Sequence, residues 1–220
     1  MPRTLKSIPS AAKRLTRDEK KAQTRERLLE VGRKHILEHG LGDVVAERIA
    51  EEAGYSRGAF YSNFDNKDDL FLAIIEQENE AHLAIFEELL QRDVSGPELL
   101  HLIRGAFADK LTNPDWIVLQ AEFQAGALRS QRIRECYLEQ YRLFMKDGCN
   151  ALNVLGKIPE IRFALPPEEL FLTLFTFAHG LAVNLRLLGT ERPSQKQLRK
   201  LLFSVHDKLV SIKPAATHPA

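Results

Sequence analysis

Cysteine, proline and glycine are scarce in this sequence: its 220 residues include 2 Cys, 10 Pro and 12 Gly. Two thiols, Cys136 and Cys149, are too few for a disulfide framework or a zinc knuckle. They are interpreted as packing residues of a protein from a reducing compartment, with a redox role as the alternative. Because proline and glycine are the residues that disfavour helix interiors, their scarcity favours an all-α fold.

Long apolar segments and a secretory leader are missing as well. The longest uncharged run, 170–185, is shorter than the roughly 17 to 25 residues of a membrane helix. It also includes polar residues such as Thr173 and Asn184. The first residues, MPRTLKSIPSAAKR, contain no apolar stretch of the kind that defines a signal peptide. We therefore expect a cytoplasmic protein without membrane contact, in which 170–185 is a buried helix.

Motifs of catalysis and of cofactor binding are absent too. There is no nucleophile elbow, no glycine-rich phosphate loop, no HExxH and no paired CxxC. His35 and His39 are four residues apart, a spacing that can hold a metal on a helix, but no further ligand completes a site. The sequence thus predicts neither an enzyme nor a metal or cofactor protein, and His35 is interpreted as a hydrogen-bonded core histidine.

Positive charge is concentrated at one end of the chain. The net charge is +1, yet residues 1–35 contain 11 Lys or Arg and 4 acidic residues, a balance of +7 that leaves −6 for the remainder. A strongly basic segment is typical of contact with nucleic acid.

Capping signals and apolar periodicity divide the chain into about nine helices. Thr16 and Glu19 form a capping box for a first helix that ends at His39, before Gly40. Ser194 and Gln197 form another, which begins the last helix with its stripe of Leu198, Leu201, Val205 and Leu209. The helices between them are predicted at about 45–53, 57–64, 67–91, 96–111, 114–128, 130–155 and 167–188.

Residues 46–70, AERIAEEAGYSRGAFYSNFDNKDDL, have the order of a helix-turn-helix. Val45, Ile49, Ala50 and Ala53 give the first helix its apolar stripe. Gly54 can adopt the positive φ of a tight turn, and Ser56 can cap a second helix that starts at Arg57. Phe60 and Phe64 share the core face of that helix, which leaves Gly58, Ala59, Tyr61 and Ser62 facing outward.

Small residues on an exposed helix allow close approach to another surface, and the floor of the DNA major groove is such a surface. Arg57 lies beside them as a long side chain suited to base edges. An ordinary surface helical hairpin is the alternative interpretation.

Residues 24–72 resemble the tetracycline-repressor (TetR) family. The residues that carry the resemblance are Gly40, Ile49, Ala50, Ala53, Gly54, Ser56, Gly58, Tyr61, Phe64, Lys67 and Leu70. The resemblance implies that Arg57, Gly58 and Ala59 face bases. It also implies that DNA phosphates are bound by Arg48, Tyr61, Asn63 and Lys67. The family usually has Ser or Thr before the first of these helices, whereas this chain has Val45, so Asp43 is the alternative cap.

The family resemblance also implies a twofold dimer that presents two reading heads to a palindromic DNA operator. Its members pair their last two long helices as a four-helix bundle, which here places Leu181, Leu185, Leu201 and Val205 at the interface. The apolar composition of 170–185 agrees, because such a helix needs cover on every side. A buried central helix in a monomer is the alternative.

Aromatic and polar side chains of the central helices predict a pocket for a small hydrophobic effector. The candidate residues are His82, Phe86, His101, Phe107, Trp116, Gln120, Phe123, Tyr141, Phe144 and His179. Packing in the core is the alternative interpretation for most of them. The sequence as a whole predicts a basic flexible arm at 1–15, a helix-turn-helix domain at 16–66 and a ligand-binding and dimerisation domain at 67–220. The function predicted is that of a repressor that a small molecule releases from its operator. The alternative is a helical small-molecule-binding protein without operator binding.

Overall fold

The computed structural model describes residues 16–187 and 194–212. Within this part of the chain nine α-helices follow one another, as the sequence predicts. They are α1 Arg17–His39, α2 Ala46–Glu52, α3 Arg57–Tyr61, α4 Lys67–Leu90, α5 Gly96–Thr112, α6 Pro114–Ala127, α7 Gln131–Leu155, α8 Pro167–Leu187 and α9 Gln195–Leu209. The predicted arm 1–15 lies outside the described residues.

The predicted caps define most helix starts. At α1, the Thr16 hydroxyl accepts from the Glu19 amide while the Glu19 carboxylate accepts from the Thr16 amide, so the capping box is confirmed. The box at Ser194 and Gln197 is confirmed in the same way. Asn66 caps α4, the helix that leads from the first three helices, here called the head, to the body formed by α5 to α9.

The start of α2 differs from the prediction. Val45 is the N-cap residue, makes no side-chain cap and is 50% exposed, so its place on the buried stripe was wrong. Asp43 does not cap the helix either, because it lies in a 3-10 turn, Leu41–Asp43. Its carbonyl accepts from Nε2 of His35 at 3.2 Å, which confirms His35 as a hydrogen-bonded core histidine.

The core of the head continues into the body. Ile49 of α2 and Phe60 of α3 are fully buried in the same apolar cluster as Phe71 of α4 and Phe123 of α6. The spacing of Leu70, Ile74 and Leu83 predicts one apolar side of α4, and Leu70 and Ile74 are buried there as predicted. Leu83, predicted for the same side, is 49% exposed, so this part of the prediction was wrong.

A two-stranded antiparallel ribbon closes the far end of the body and was not predicted. Strand β1, Ile161–Phe163, pairs with β2, Val210–Ile212, and Ile161 lies opposite Ile212. Ile161 and Val210 are buried in a second apolar cluster with Leu100, Leu155 and Leu170. Three-residue strands are too short to produce a readable alternation of apolar and polar residues.

Each of α8 and α9 has a large apolar side chain that the single chain leaves exposed. Leu170, Ala178 and Ala182 of α8 are buried, whereas Leu172 is 42% exposed. Of the predicted dimer residues, Leu201 is 44% exposed, Leu181 and Val205 are partly buried, and the side chain of Leu185 lies outside the described residues. None of the described helices is long and apolar enough to span a membrane.

Candidate nucleic-acid interface and ligand cleft

The helix-turn-helix is formed by α2 and α3. Gly54 has a φ of 81°, in the left-handed region that favours glycine, and turns the chain after α2. The Ser56 hydroxyl then accepts from the Ala59 amide and caps α3. Phe60 and Phe64, 0% and 3% exposed, bury one face of this segment. The predicted turn, cap and core face are thus confirmed.

The opposite face of α3 is exposed to solvent, and Gly58 and Ala59 give it small side chains. Gly58 is exposed, and a Cβ added to it would meet nothing closer than Ser56 Oγ at 3.8 Å. Its φ is not positive, so neither space nor backbone conformation in the folded chain requires glycine at this position. Ala59, beside it, is partly buried.

Arg57 begins α3 and extends into solvent. Its Nε lies 2.9 Å from a carboxylate oxygen of Glu47, with which it forms an ion pair, and its guanidinium lies 5.4 Å from the centre of the Tyr61 ring. The Arg57 side chain is 69% exposed, and an ion pair as exposed as this one contributes little to the stability of the fold. Arg57 can therefore exchange Glu47 for another acceptor at low cost.

The four predicted phosphate-binding residues differ in what they already bind. Arg48 is exposed and pairs with Glu52 at 2.9 Å, and Tyr61 is 43% exposed. The side-chain amide of Asn63 donates to the Ala59 carbonyl at 2.8 Å. Lys67 Nζ donates to the carbonyls of Leu41 and Gly42 at 3.3 and 3.1 Å, so this residue also holds the 3-10 turn against α4.

Arg25 also contributes to this surface, although the sequence does not predict it. Its guanidinium lies 4.4 Å from the centre of the Phe64 ring, and Nη1 donates to the Asn63 carbonyl at 3.1 Å. Arg25 thereby fixes the end of α3 on α1. Basic side chains commonly bind the free carbonyls at the end of a helix, and this is the signal that could have indicated the contact. Arg25 and Asn63 are 38 residues apart in the chain, so the sequence alone does not pair them.

A cleft of about 450 Å³ lies in the body between α4, α5 and the start of α9. Of the predicted pocket residues, the structure brings His82, Phe86 and His101 together there. Apolar and charged residues that were not predicted complete the lining: Ile85, Leu89, Leu102, Gly105, Ala106, Asp109, Lys110, Asn113 and Arg199. Trp116 is buried behind this wall, with its ring 5.1 Å from that of His82 and 4.1 Å from Lys110 Nζ.

The other predicted pocket residues lie elsewhere. Phe144 packs against Phe171 and Phe175, with ring centres 4.8 and 4.7 Å apart, and Phe107 and His179 adjoin the same cluster. Gln124 donates to Nε2 of His179 at 3.0 Å, and burial lowers the pKa of His179.

The last three predicted pocket residues lie outside both the cleft and this cluster. Phe123 is in the shared core beside Tyr137, Tyr141 stacks on the far side of Tyr137, and Gln120 is partly buried on α6.

Comparison with known proteins identifies the family. The profile described as "Bacterial regulatory proteins, tetR family" matches residues 28–74. The HTH-type transcriptional repressor AcnR of Corynebacterium efficiens is 32% identical over 162 residues, which cover 74% of this chain and 81% of AcnR. The chain belongs to the TetR family. AcnR of Corynebacterium diphtheriae is 25% identical over 194 residues, which cover 87% of this chain and 94% of that repressor.

Solved structures share the fold of this TetR-family chain. A protein described as a transcriptional regulator from Saccharomonospora viridis, in complex with choline, matches with a TM-score of 0.74 and 20% identity over 86% of this chain and 99% of its own. SmeT in complex with triclosan matches with a TM-score of 0.63 and 21% identity over 90% and 99%.

In this TetR-family chain a path of side-chain contacts leads from the cleft to the head. Arg33 of α1 donates to Glu78 of α4 at 2.6 Å and to Asp115 of α6 at 3.1 Å. One turn along α4, His82 hydrogen-bonds the Glu78 carbonyl and forms part of the cleft wall. Burial and the charge of Lys110 lower the pKa of His82.

Two further links tie the head and α4 to the body. The Glu122 carboxylate of α6 accepts the Leu41 amide of the 3-10 turn at 3.0 Å. At the start of α4, Asp69 pairs with Arg132 of α7, and Asp68 accepts from the Ser130 hydroxyl at 2.8 Å. The head is therefore joined to α6 and α7 by buried packing and by polar contacts together.

Proposed function

We propose that this chain is a ligand-responsive transcriptional repressor that binds a palindromic DNA operator as a homodimer and is released by a small hydrophobic effector. The exposed face of α3 carries the proposal. It combines a long, exposed arginine with a glycine that the fold itself does not require, on a helix whose opposite face is locked into the core. Operator binding would place the protein in the cytoplasm, where bacterial DNA lies.

The chemistry of the interface residues supports different roles for them. Arginine can donate two hydrogen bonds to the O6 and N7 atoms of guanine, so Arg57 is assigned to base reading together with Gly58 and Ala59. Arg48 and Tyr61 are exposed and can donate to phosphate, which positions the protein without reading sequence. Asn63 and Lys67 already donate hydrogen bonds within the protein. We propose that their remaining N–H groups donate to phosphate.

Specific binding to DNA tests the proposal against the alternative of a ligand-binding protein without an operator. The full chain is titrated onto labelled duplexes that flank its own gene, and a random duplex of equal length serves as the control. We expect one duplex to be bound at least about a thousandfold more tightly than random DNA, the lower range for specific regulators. Equal binding of all duplexes, or no binding, would favour the alternative.

Gly58→Ala is expected to change stability and DNA affinity in opposite directions. Alanine in a helix is favoured over glycine by about 0.5 to 1 kcal/mol, and space for its methyl group is available. The melting temperature should therefore stay the same or rise, while operator affinity falls because the added methyl group stands between α3 and the base edges. Differential scanning calorimetry and operator titration measure the two effects. A variant with unchanged operator affinity would remove Gly58 from the interface.

Leu201→Glu is expected to disrupt the proposed dimer. Leu201 is 44% exposed in the single chain, so a glutamate there is tolerated by the monomer fold, but in an apolar dimer interface it would be buried without a partner. Sedimentation velocity should show monomers. Leu128→Glu, at a position that is 79% exposed near the end of α6, is the matched control and should stay dimeric. A dimeric Leu201→Glu variant would exclude this surface.

Effector release is supported by the cleft and by its connection to the head. Two structural neighbours of this fold are known in complex with choline and with triclosan. A ligand that prefers one arrangement of α4 and α5 shifts the distance between the two heads of the dimer. Both heads can occupy the two half-sites of an operator only when this distance is about 34 to 36 Å, which is one turn of DNA. By linkage, operator DNA weakens effector binding by the same factor.

A further inference from the structure

The charged residues that line the cleft differ in whether they have an ion-pair partner. Arg199 of α9 forms an ion pair with Asp109 of α5, so these two residues neutralise each other. Lys110 also lines the cleft, and no carboxylate within residues 16–187 and 194–212 lies within 4.0 Å of its Nζ. The cleft therefore has one positive charge in excess.

The surroundings of Lys110 make this charge costly. Its Nζ lies 4.1 Å from the centre of the buried Trp116 ring, and burial lowers the pKa of Lys110 to about 8. Glu78 is the carboxylate whose charge opposes this shift, but Glu78 is already bonded to Arg33 at 2.6 Å. A partly desolvated cation without its own counter-ion gains from an anion brought to it.

The rest of the cleft is suited to hydrocarbon. Ile85, Phe86, Leu89, Leu102 and Ala106 contribute apolar surface to a volume of about 450 Å³. The burial of His82 and the neighbouring charge of Lys110 lower the pKa of the His82 imidazole, which favours its neutral form. A neutral imidazole adds a hydrogen-bonding group to the wall without a second positive charge.

We propose that the cleft binds an amphipathic carboxylate, with its anionic group at Lys110 and its apolar part against Phe86 and Leu102. The ligand's carboxylate accepts a charge-assisted hydrogen bond from Lys110 Nζ, while the Asp109–Arg199 pair remains intact beside it. As the effector of a repressor this ligand rests on the function proposed above, but its binding is measured without DNA.

The probes are octanoate, 1-octanol and octyltrimethylammonium, which share an eight-carbon chain and differ in charge. Their affinities for the full chain are measured by isothermal titration calorimetry at pH 7. We expect octanoate to bind at least about tenfold more tightly than octanol, because hydrogen bonds to charged groups exceed neutral ones by that order. Equal affinities, or tighter binding of the cation, would overturn the proposal.

Variants locate the anion within the cleft. Lys110→Met keeps an apolar side chain over Trp116 and should abolish the preference for octanoate, whereas Lys110→Arg should retain it. Ala106→Phe should weaken octanoate and octanol alike by filling the cleft. Lys146→Met, at an exposed position of α7, is the control and should change neither affinity. A preference for octanoate that survives Lys110→Met would overturn the assignment.

Operator titration separates this proposal from the function proposed above. If octanoate binds through Lys110 but leaves operator affinity unchanged, effector release by this ligand class is refuted and the anion site stands. If operator binding is specific while octanoate shows no preference over octanol, the anion site alone is refuted.

Discussion

Arg57→Ala is expected to weaken operator binding by about 30-fold to about 10⁴-fold. The range follows from about 1 to 3 kcal/mol for each arginine-to-guanine contact, lost in both half-sites of a dimer. Preference at one base position of each half-site should relax at the same time. Titration of the wild-type operator and of operators substituted at single base pairs measures both effects.

Two neighbouring variants serve as controls for Arg57. Arg48→Ala removes an equally exposed arginine, and it should weaken operator and random DNA similarly because it loses a phosphate contact. Glu47→Gln removes the carboxylate that holds Arg57 at 2.9 Å but leaves the arginine in place. It should bind DNA at least as tightly as wild type, with unchanged base preference. An Arg57→Ala variant that loses operator and random DNA binding equally would contradict the base-reading assignment.

Phe60→Ala is expected to lower the free energy of unfolding by about 3 to 5 kcal/mol. The ring is 0% exposed and packs against Phe64, with ring centres 5.6 Å apart, inside the cluster that joins the head to the body. Since α3 has only five residues, it depends on this anchor rather than on its own helix stability. Urea denaturation followed by circular dichroism measures the loss, and operator binding should disappear with it.

Phe60→Leu and Tyr61→Ala separate the anchor from the interface. Leucine refills most of the volume, so Phe60→Leu should cost less than about 1.5 kcal/mol and retain operator binding. Tyr61 is 43% exposed, and Tyr61→Ala should weaken DNA binding with little loss of stability. A Phe60→Ala variant with wild-type stability would show that the head does not depend on this ring.

The shared core bears on how ligand binding and DNA binding are connected. Leu119 and Phe123 of α6 and Ile133 of α7 are buried together with residues of α1 to α4. The predicted boundary between residues 66 and 67 therefore does not separate two apolar cores. Because close-packed interiors transmit displacements rather than absorb them, we expect a ligand that shifts α4 or α6 to move the head as well.

The predicted pocket residues share their chemical type but not their location. The structure divides the aromatic residues of the central helices among a cleft, an aromatic cluster and the shared core. The two cations of the cleft, Lys110 and Arg199, come from different helices and were not identified. Nothing local to either residue indicates the other, because their approach depends on how α5 and α9 pack.

The sequence by itself determined the features that depend on neighbours within one helical turn. These are the helix order, the capping boxes, the turn at Gly54, the cap at Ser56 and the buried face of Phe60 and Phe64, together with the family. Each of these features depends on hydrogen bonds or on apolar periodicity between residues close together in the chain. Such local patterns can be identified from the sequence.

Only the tertiary structure decided which distant side chains meet. Arg33 binds Glu78 across 45 residues, Lys67 binds the Leu41 carbonyl across 26, and β1 pairs with β2 although all of α8 and α9 lies between them in the chain. The exposure of Val45 and Leu83 was decided in the same way. The physical reason is that helix crossing angles and side-chain rotamers select these partners, and both are set by the packing of the whole core rather than by any local segment.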